Sequence, residues 1–159
     1  MATTDTLLID LPDEAATQAL GALLADHALP GDVFLLSGPI GAGKSHLARA
    51  FIRRRLGRME DVPSPTFTLV QTYDDPDGDI WHADLYRLSH PDEVIELGLD
   101  DAFQTGICLV EWPDRLGRLA PTTAITVALS YDQDGRRAEI GAAGRPALRA
   151  ALAEAFLHA

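Results

Sequence analysis

The chain contains one cysteine, Cys108. A disulfide within the chain is excluded, and so is a thiolate metal cluster. That usage suits a reducing cytoplasm, and Cys108, inside the apolar run Ile107-Cys108-Leu109-Val110, reads as a small core residue. Positive charge is scarce: 13 Lys and Arg stand against 24 Asp and Glu, for a formal net charge of −11. A protein that grips a nucleic acid backbone by itself shows a basic face, so direct tight binding of RNA or DNA is disfavoured. No apolar run approaches the roughly 18 residues of a membrane-spanning helix. No basic-then-apolar segment of a secretory signal opens the chain. A soluble, cytoplasmic protein is expected. Residues 1–159 contain no repeat, low-complexity tract or linker, so one domain is expected.

What is present is a phosphate-binding signature. Gly38-Pro39-Ile40-Gly41-Ala42-Gly43-Lys44-Ser45 follows the apolar stretch Val33-Phe34-Leu35-Leu36 and precedes His46-Leu47-Ala48-Arg49-Ala50-Phe51-Ile52. Strand, glycine-rich loop and helix are the context a P-loop requires. The glycines let the backbone wrap a phosphate chain with N–H groups inward, and the helix beginning near Gly43 directs its positive end at the same phosphates. Lys44 can reach the β- and γ-phosphates of a nucleotide held there, and the Ser45 hydroxyl can ligate Mg²⁺.

Thr6–Leu11 reads as a strand, and Pro12-Asp13 starts a helix with an apolar face at Ala16, Ala19, Leu20, Leu23 and Leu24. Pro30-Gly31-Asp32 ends it. Gly57 ends the P-loop helix. Phe67–Tyr73 and Ile80–Tyr86, joined by Asp74–Asp79, predict an antiparallel hairpin. Pro91–Leu97 predicts a short helix and Ile107–Val110 a buried strand. Ile125–Leu129 and Arg137–Ile140 form a second hairpin around Asp132-Gln133-Asp134-Gly135, and Pro146–Leu157 is an amphipathic helix. The fold class predicted is α/β: a P-loop NTPase-like three-layer domain whose mixed sheet adds antiparallel hairpins to a parallel core.

Hydrolysis needs a carboxylate beside the magnesium, and a buried parallel strand ends at the phosphate edge of the sheet. Glu111 follows Ile107–Val110 and is the metal-side candidate, directly or through water. Trp112 after it either packs as core or lies near the nucleotide. Asp84 either orders the magnesium shell and attacking water or caps a turn and pairs with Arg87. His46 and His82 lack the spacing of a zinc site and read as structural or surface residues, His46 lying beside the phosphates. Arg49, Arg53, Arg54, Arg55 and Arg58 crowd the P-loop helix and its end, either as a solvated face or as a docking patch for an acidic partner or RNA.

Four ordered segments resemble the bacterial TsaE (YjeE) family: Gly38–Ser45, Ser64-Pro65-Thr66-Phe67-Thr68-Leu69-Val70, His82-Ala83-Asp84-Leu85-Tyr86-Arg87-Leu88, and Cys108-Leu109-Val110-Glu111-Trp112-Pro113. Leu11–Thr17 and Leu20-Gly21 resemble that family's opening helix, so the likeness covers roughly residues 7 to 141. The resemblance implies a small ATPase, with ATP and Mg²⁺, required for threonylcarbamoyladenosine formation in tRNA. It implies action on the transferase complex of TsaD and TsaB, with tRNA engaged only through that complex. Ile40, Gly41, Ala42, Gly43, Lys44 and Ser45 would hold the phosphates, with His46 beside them by its place at the helix start, and Ser45 and Glu111 would hold the Mg²⁺. Lys44, Asp84 and Glu111 would be the catalytic-site residues. Trp112 would lie close to the nucleotide, Glu14 near the adenosine and Arg136 on the far side. Ser64–Thr68 would be a switch-like loop near the γ-phosphate. Pro39-Ile40, Ser45, His46 and Ala83 depart from the family pattern. The alternatives from the P-loop alone are a stand-alone small-molecule kinase and a nucleotide-gated binding module. Arg53–Arg55 lie two to three turns from the phosphates, about 10–15 Å at the rise of an α-helix, too far to serve as a kinase lid.

Overall fold

The computed structural model describes residues 6–59, 61–65, 68–133 and 135–157. Thr66 and Phe67 of the expected switch-like loop, and Asp134 of the last turn, lie outside them. Strand β1 (Thr6–Leu11) leads into helix α1 (Glu14–Asp26), strand β2 (Val33–Ser37) and helix α2 (Lys44–Leu56). Strands β3 (Val70–Tyr73) and β4 (Ile80–Asp84) follow, then short helices α3 (Glu93–Glu96) and α4 (Leu99–Thr105). Strand β5 (Ile107–Glu111), a 3₁₀ segment (Pro113–Leu119), strands β6 (Ile125–Asp132) and β7 (Gly135–Gly141) and helix α5 (Pro146–Phe156) complete the order.

The seven strands form one sheet in the order β1-β7-β6-β2-β5-β4-β3. β6, β2, β5 and β4 are mutually parallel neighbours, while β3, β7 and β1 pair antiparallel at the two sides. The expected mixed sheet is the one observed. Two cores flank it, as a three-layer fold requires. Phe34, Leu36, Ile80, Ile107 and Leu109 point towards α1, α2 and α5. Val33, Leu35, Ala83, Cys108 and Val110 point the other way, towards α4 and the 3₁₀ segment. This period of two puts every second residue of a strand on the same face.

Local chemistry sets the helix ends. The Asp13 carboxylate accepts from the Ala16 amide at 2.9 Å, an N-cap that places the first turn of α1 one residue after the predicted Pro12-Asp13 start. Gly57 ends α2 at φ 71°, in the left-handed region that glycine enters freely. Gly21 on α1 lies so close to α2 that an added Cβ would stand 2.8 Å from the Leu47 carbonyl oxygen.

Some predicted elements differ. The first hairpin is shorter than expected: Leu69 sits at φ 69°, and β3 begins only at Val70. The Pro91–Leu97 helix contracts to α3, and Gly98 in the left-handed region separates it from α4. No reading of the sequence anticipated α4, because seven residues are too few to display a helical period. Among the described residues no helix is long and apolar enough to cross a membrane.

Candidate nucleotide-binding site

The loop after β2 leaves the sheet at its carboxyl edge, where β4 and β5 also end. Gly38, Gly41 and Gly43 all have positive φ, at 139°, 85° and 108°. At Gly38 an added Cβ would lie 2.4 Å from the Leu129 carbonyl oxygen, so only glycine fits there. Gly43 is the N-cap of α2 and supplies no side-chain partner for the first-turn amides. Those amides lack helical acceptors and are available to an anion. The Ala42 amide donates to the Pro39 carbonyl at 3.1 Å, so Pro39 closes the loop's turn through its carbonyl although it lacks an N–H.

Strand parity brings the acids together. Glu111 has the parity of Ile107 and Leu109, and Asp84 that of Ile80 and His82, so all project on the α2 side of the sheet. Asp84 and Glu111 are direct partners across the parallel β4–β5 pair. Both carboxylates are buried. The Ser45 hydroxyl donates to Glu111 Oε1 at 3.3 Å, and His82 Nε2 donates to Glu111 Oε2 at 2.7 Å. Asp84 Oδ1 accepts from the Tyr86 amide at 3.1 Å. The turn-capping half of the two Asp84 readings is thus present, and it does not take Asp84 out of the site.

Lys44 is also buried, its Nζ donating to the Gly38 carbonyl and standing 3.7 Å from the centre of the Trp112 ring. Burial pushes the ammonium below its ordinary value of 10.5, against the opposing charges of Glu111, Asp84 and Asp114. Trp112 takes φ 59°, which turns the chain from β5 into Pro113 and lays the indole against Tyr86, ring centres 4.9 Å apart. It is therefore part of the site wall as well as packed.

These groups line a cavity of about 750 Å³, a size that suits a mononucleotide. Glu14, Ile40, Gly41, Gly43, Lys44, Ser45, His46, Asp84, Glu111, Trp112 and Arg136 all face it, as does Ser64. Ala42 is buried behind the loop and does not line it. Of the arginine cluster, Arg54 pairs with Asp26 and Arg55 with Asp75 and Asp77, as ion pairs at the far end of α2.

This arrangement and sequence match a known family. The model for the threonylcarbamoyl adenosine biosynthesis protein TsaE matches residues 11–139. The chain belongs to the TsaE family. Curated relatives called tRNA threonylcarbamoyladenosine biosynthesis protein TsaE include one from Rickettsia bellii, 38% identical over 127 residues, covering 80% of this chain and 88% of the relative. Another, from Nostoc sp., is 39% identical over 138 residues, covering 83% of each. The Bacillus subtilis relative is 38% identical over 127 residues, covering 79% of this chain and 77% of its own length. The crystal structure of Bacillus subtilis YdiB superposes with a TM-score of 0.80 at 27% identity, covering 98% of this chain and 99% of that one. TsaE membership is thus supported by sequence and by fold.

Two contacts behind the cavity wall, those of His82 and Tyr131, were not expected from the sequence. His82, expected to be structural or surface, is buried, so the structural alternative is the one observed, and it is bonded to the candidate metal-side carboxylate. Its position in the same strand and parity as Asp84 was the available signal. Tyr131, at the far end of β6, bonds the P-loop through a contact 91 residues distant, and no local pattern marks it.

Proposed function

We propose that this TsaE-family chain is an Mg²⁺-dependent ATPase that serves threonylcarbamoyladenosine formation in tRNA by acting on the TsaD–TsaB complex. The observation that carries the ATPase part is the convergence of Lys44, Ser45, Asp84 and Glu111 on one cavity above the P-loop. The names of its relatives support the pathway. The acidic composition suits a protein that acts on a protein complex and does not clamp tRNA itself.

The donor set suits magnesium. Glu111 and Ser45 are hard oxygen donors 3.3 Å apart, and Mg²⁺ characteristically takes one or two protein oxygens together with phosphate oxygens and water. Among the described residues no group of three His, Cys, Asp or Glu side chains forms a protein-only cage, which agrees with a site completed by the nucleotide. Bound there, the ion would neutralise charge on the β- and γ-phosphates. Lys44 would exchange its Gly38 carbonyl for phosphate oxygens. Asp84, at the end of β4, would orient the attacking water. His82 would hold Glu111 in one rotamer and one direction of approach. Glu14 and Arg136 would bracket the nucleoside from opposite sides of the mouth.

ATP hydrolysis measured alone and with the purified TsaD–TsaB complex, beside tRNA modification reconstituted with and without this chain, tests the reading. Turnover that rises with the complex, and modification that requires the chain, are expected. Phosphate transfer to a metabolite with no response to the complex would sink it.

A further inference from the structure

The arm of the P-loop most exposed to solvent is held from the opposite end of the sequence. The Tyr131 hydroxyl donates to the Ile40 carbonyl at 2.7 Å, and Arg136 Nη2 donates to the Gly41 carbonyl at 3.2 Å. Tyr131 and Arg136 are direct partners across the antiparallel β6–β7 pair, and the guanidinium stacks 4.5 Å from the centre of the tyrosine ring. The hairpin is itself anchored: Arg137 bridges Asp10 on β1 and Asp132 on β6, each at 3.1 Å. The approach at the loop is close, since a Cβ added to Gly41 would stand 2.6 Å from the Tyr131 oxygen.

From this geometry we propose that the β6–β7 hairpin is a latch on the P-loop, with Tyr131 as a positioning residue for the nucleotide. A trans peptide plane carries its C=O and N–H in opposite directions. Fixing the Ile40 carbonyl towards Tyr131 therefore fixes the Gly41 N–H away from it, and fixing the Gly41 carbonyl towards Arg136 fixes the Ala42 N–H towards the Pro39 turn. Gly41, with φ 85° and no side chain, adds no hold of its own, and the bond of the Ala42 amide to the Pro39 carbonyl acts on the second plane alone. The two bonds supply that order before a phosphate arrives, so less conformational freedom is lost on binding. Tyr131 does not line the cavity; it acts through the loop. The latch rests on the nucleotide-binding reading for its consequence and on hydrogen bonds alone for its existence.

Tyr131→Phe removes one hydroxyl and keeps the ring that Arg136 stacks on. Isothermal titration with ADP is expected to show affinity weakened about 3- to 10-fold, the value of one net hydrogen bond. Backbone ¹⁵N relaxation is expected to show lower order at the Ile40 and Gly41 amides in the free protein, with Gly98 and Gly117 unchanged. Arg136→Met supplies a second variant in which the Ala42 amide is expected to exchange faster. Wild-type order at Ile40 and Gly41 in Tyr131→Phe, together with wild-type exchange at the Ala42 amide in Arg136→Met, overturns the latch, whatever the affinities. Wild-type protein that fails to bind ADP removes the nucleotide reading, and the comparison of backbone order and exchange still decides the latch.

Discussion

Lys44 is the chain's single lysine, since the other twelve cationic side chains are arginines. At this position a compact ammonium on a flexible stem can pass from the Gly38 carbonyl to phosphate oxygens, which a planar guanidinium does less readily. Lys44→Ala is expected to weaken ADP binding about 100-fold, because charge-assisted bonds to phosphate are lost with nothing to replace them. Glu111→Ala and Asp84→Ala should separate binding from chemistry. Both acids stand where the metal and the γ-phosphate would meet, so hydrolysis is expected to fall by about 100-fold or more while ADP affinity falls less than 10-fold. Single-turnover hydrolysis beside ADP titration makes the comparison, and wild-type turnover in either variant removes that residue from the site.

Helices α1 and α2 pack on one face of the sheet and jointly frame the cavity, α1 through Glu14 and Thr17 and α2 through Lys44, Ser45 and His46. Their separation is set by Gly21, whose missing side chain leaves room for Leu47 and Ala50. Gly21→Val would insert three carbons where one already meets the Leu47 carbonyl oxygen at 2.8 Å. Overpacking of this kind typically costs about 1–3 kcal/mol, and here it also moves α1 relative to the P-loop helix. Urea unfolding is expected to show that loss, with a parallel loss of nucleotide affinity. Unchanged stability would mean that the helices separate without cost. The His82–Glu111 bond belongs to the same scale: two parallel strands in register deliver a donor and an acceptor to one buried point.

Across the whole molecule, the far end of α2 is tied to the β3–β4 turn by Arg55, which donates to Asp75 at 2.9 and 3.1 Å and to Asp77 at 2.9 Å. Burial pushes the Asp75 carboxyl up, but the Arg55 hydrogen bonds, the Asp77 amide and the Arg55 charge together hold it below its ordinary 3.8. A depressed carboxylate contributes stability that is complete above the unfolded value and lost as pH falls through the folded one. Global stability is therefore expected to decline below about pH 4 in part through Asp75, and Asp75→Asn should flatten that portion of the curve. Arg55→Met leaves the Asp75 side chain buried without its cation and is expected to cost roughly 3 kcal/mol at neutral pH, read by urea unfolding.

The sequence by itself determined the glycine-rich loop, the strand before it, the helix after it and the acid at the end of β5. Each is encoded within a few adjacent residues: glycines where φ must be positive, an apolar run where a strand is buried on both faces, one carboxylate where that run stops. It also carried the TsaE resemblance, since that rests on ordered local segments. Only the tertiary structure decided which face those groups share. Asp84 was open between a turn cap and a site acid until the β4–β5 register put it beside Glu111. His82 gained its role from the same register, and α4 was too short to leave a period. Tyr131 and Arg136 reach the P-loop across 91 and 95 residues, a contact that depends on hairpin register and on the packing of β6 against β2. Local sequence sets backbone conformation through steric preference, whereas the meeting of distant side chains is fixed by strand pairing, which no short segment contains.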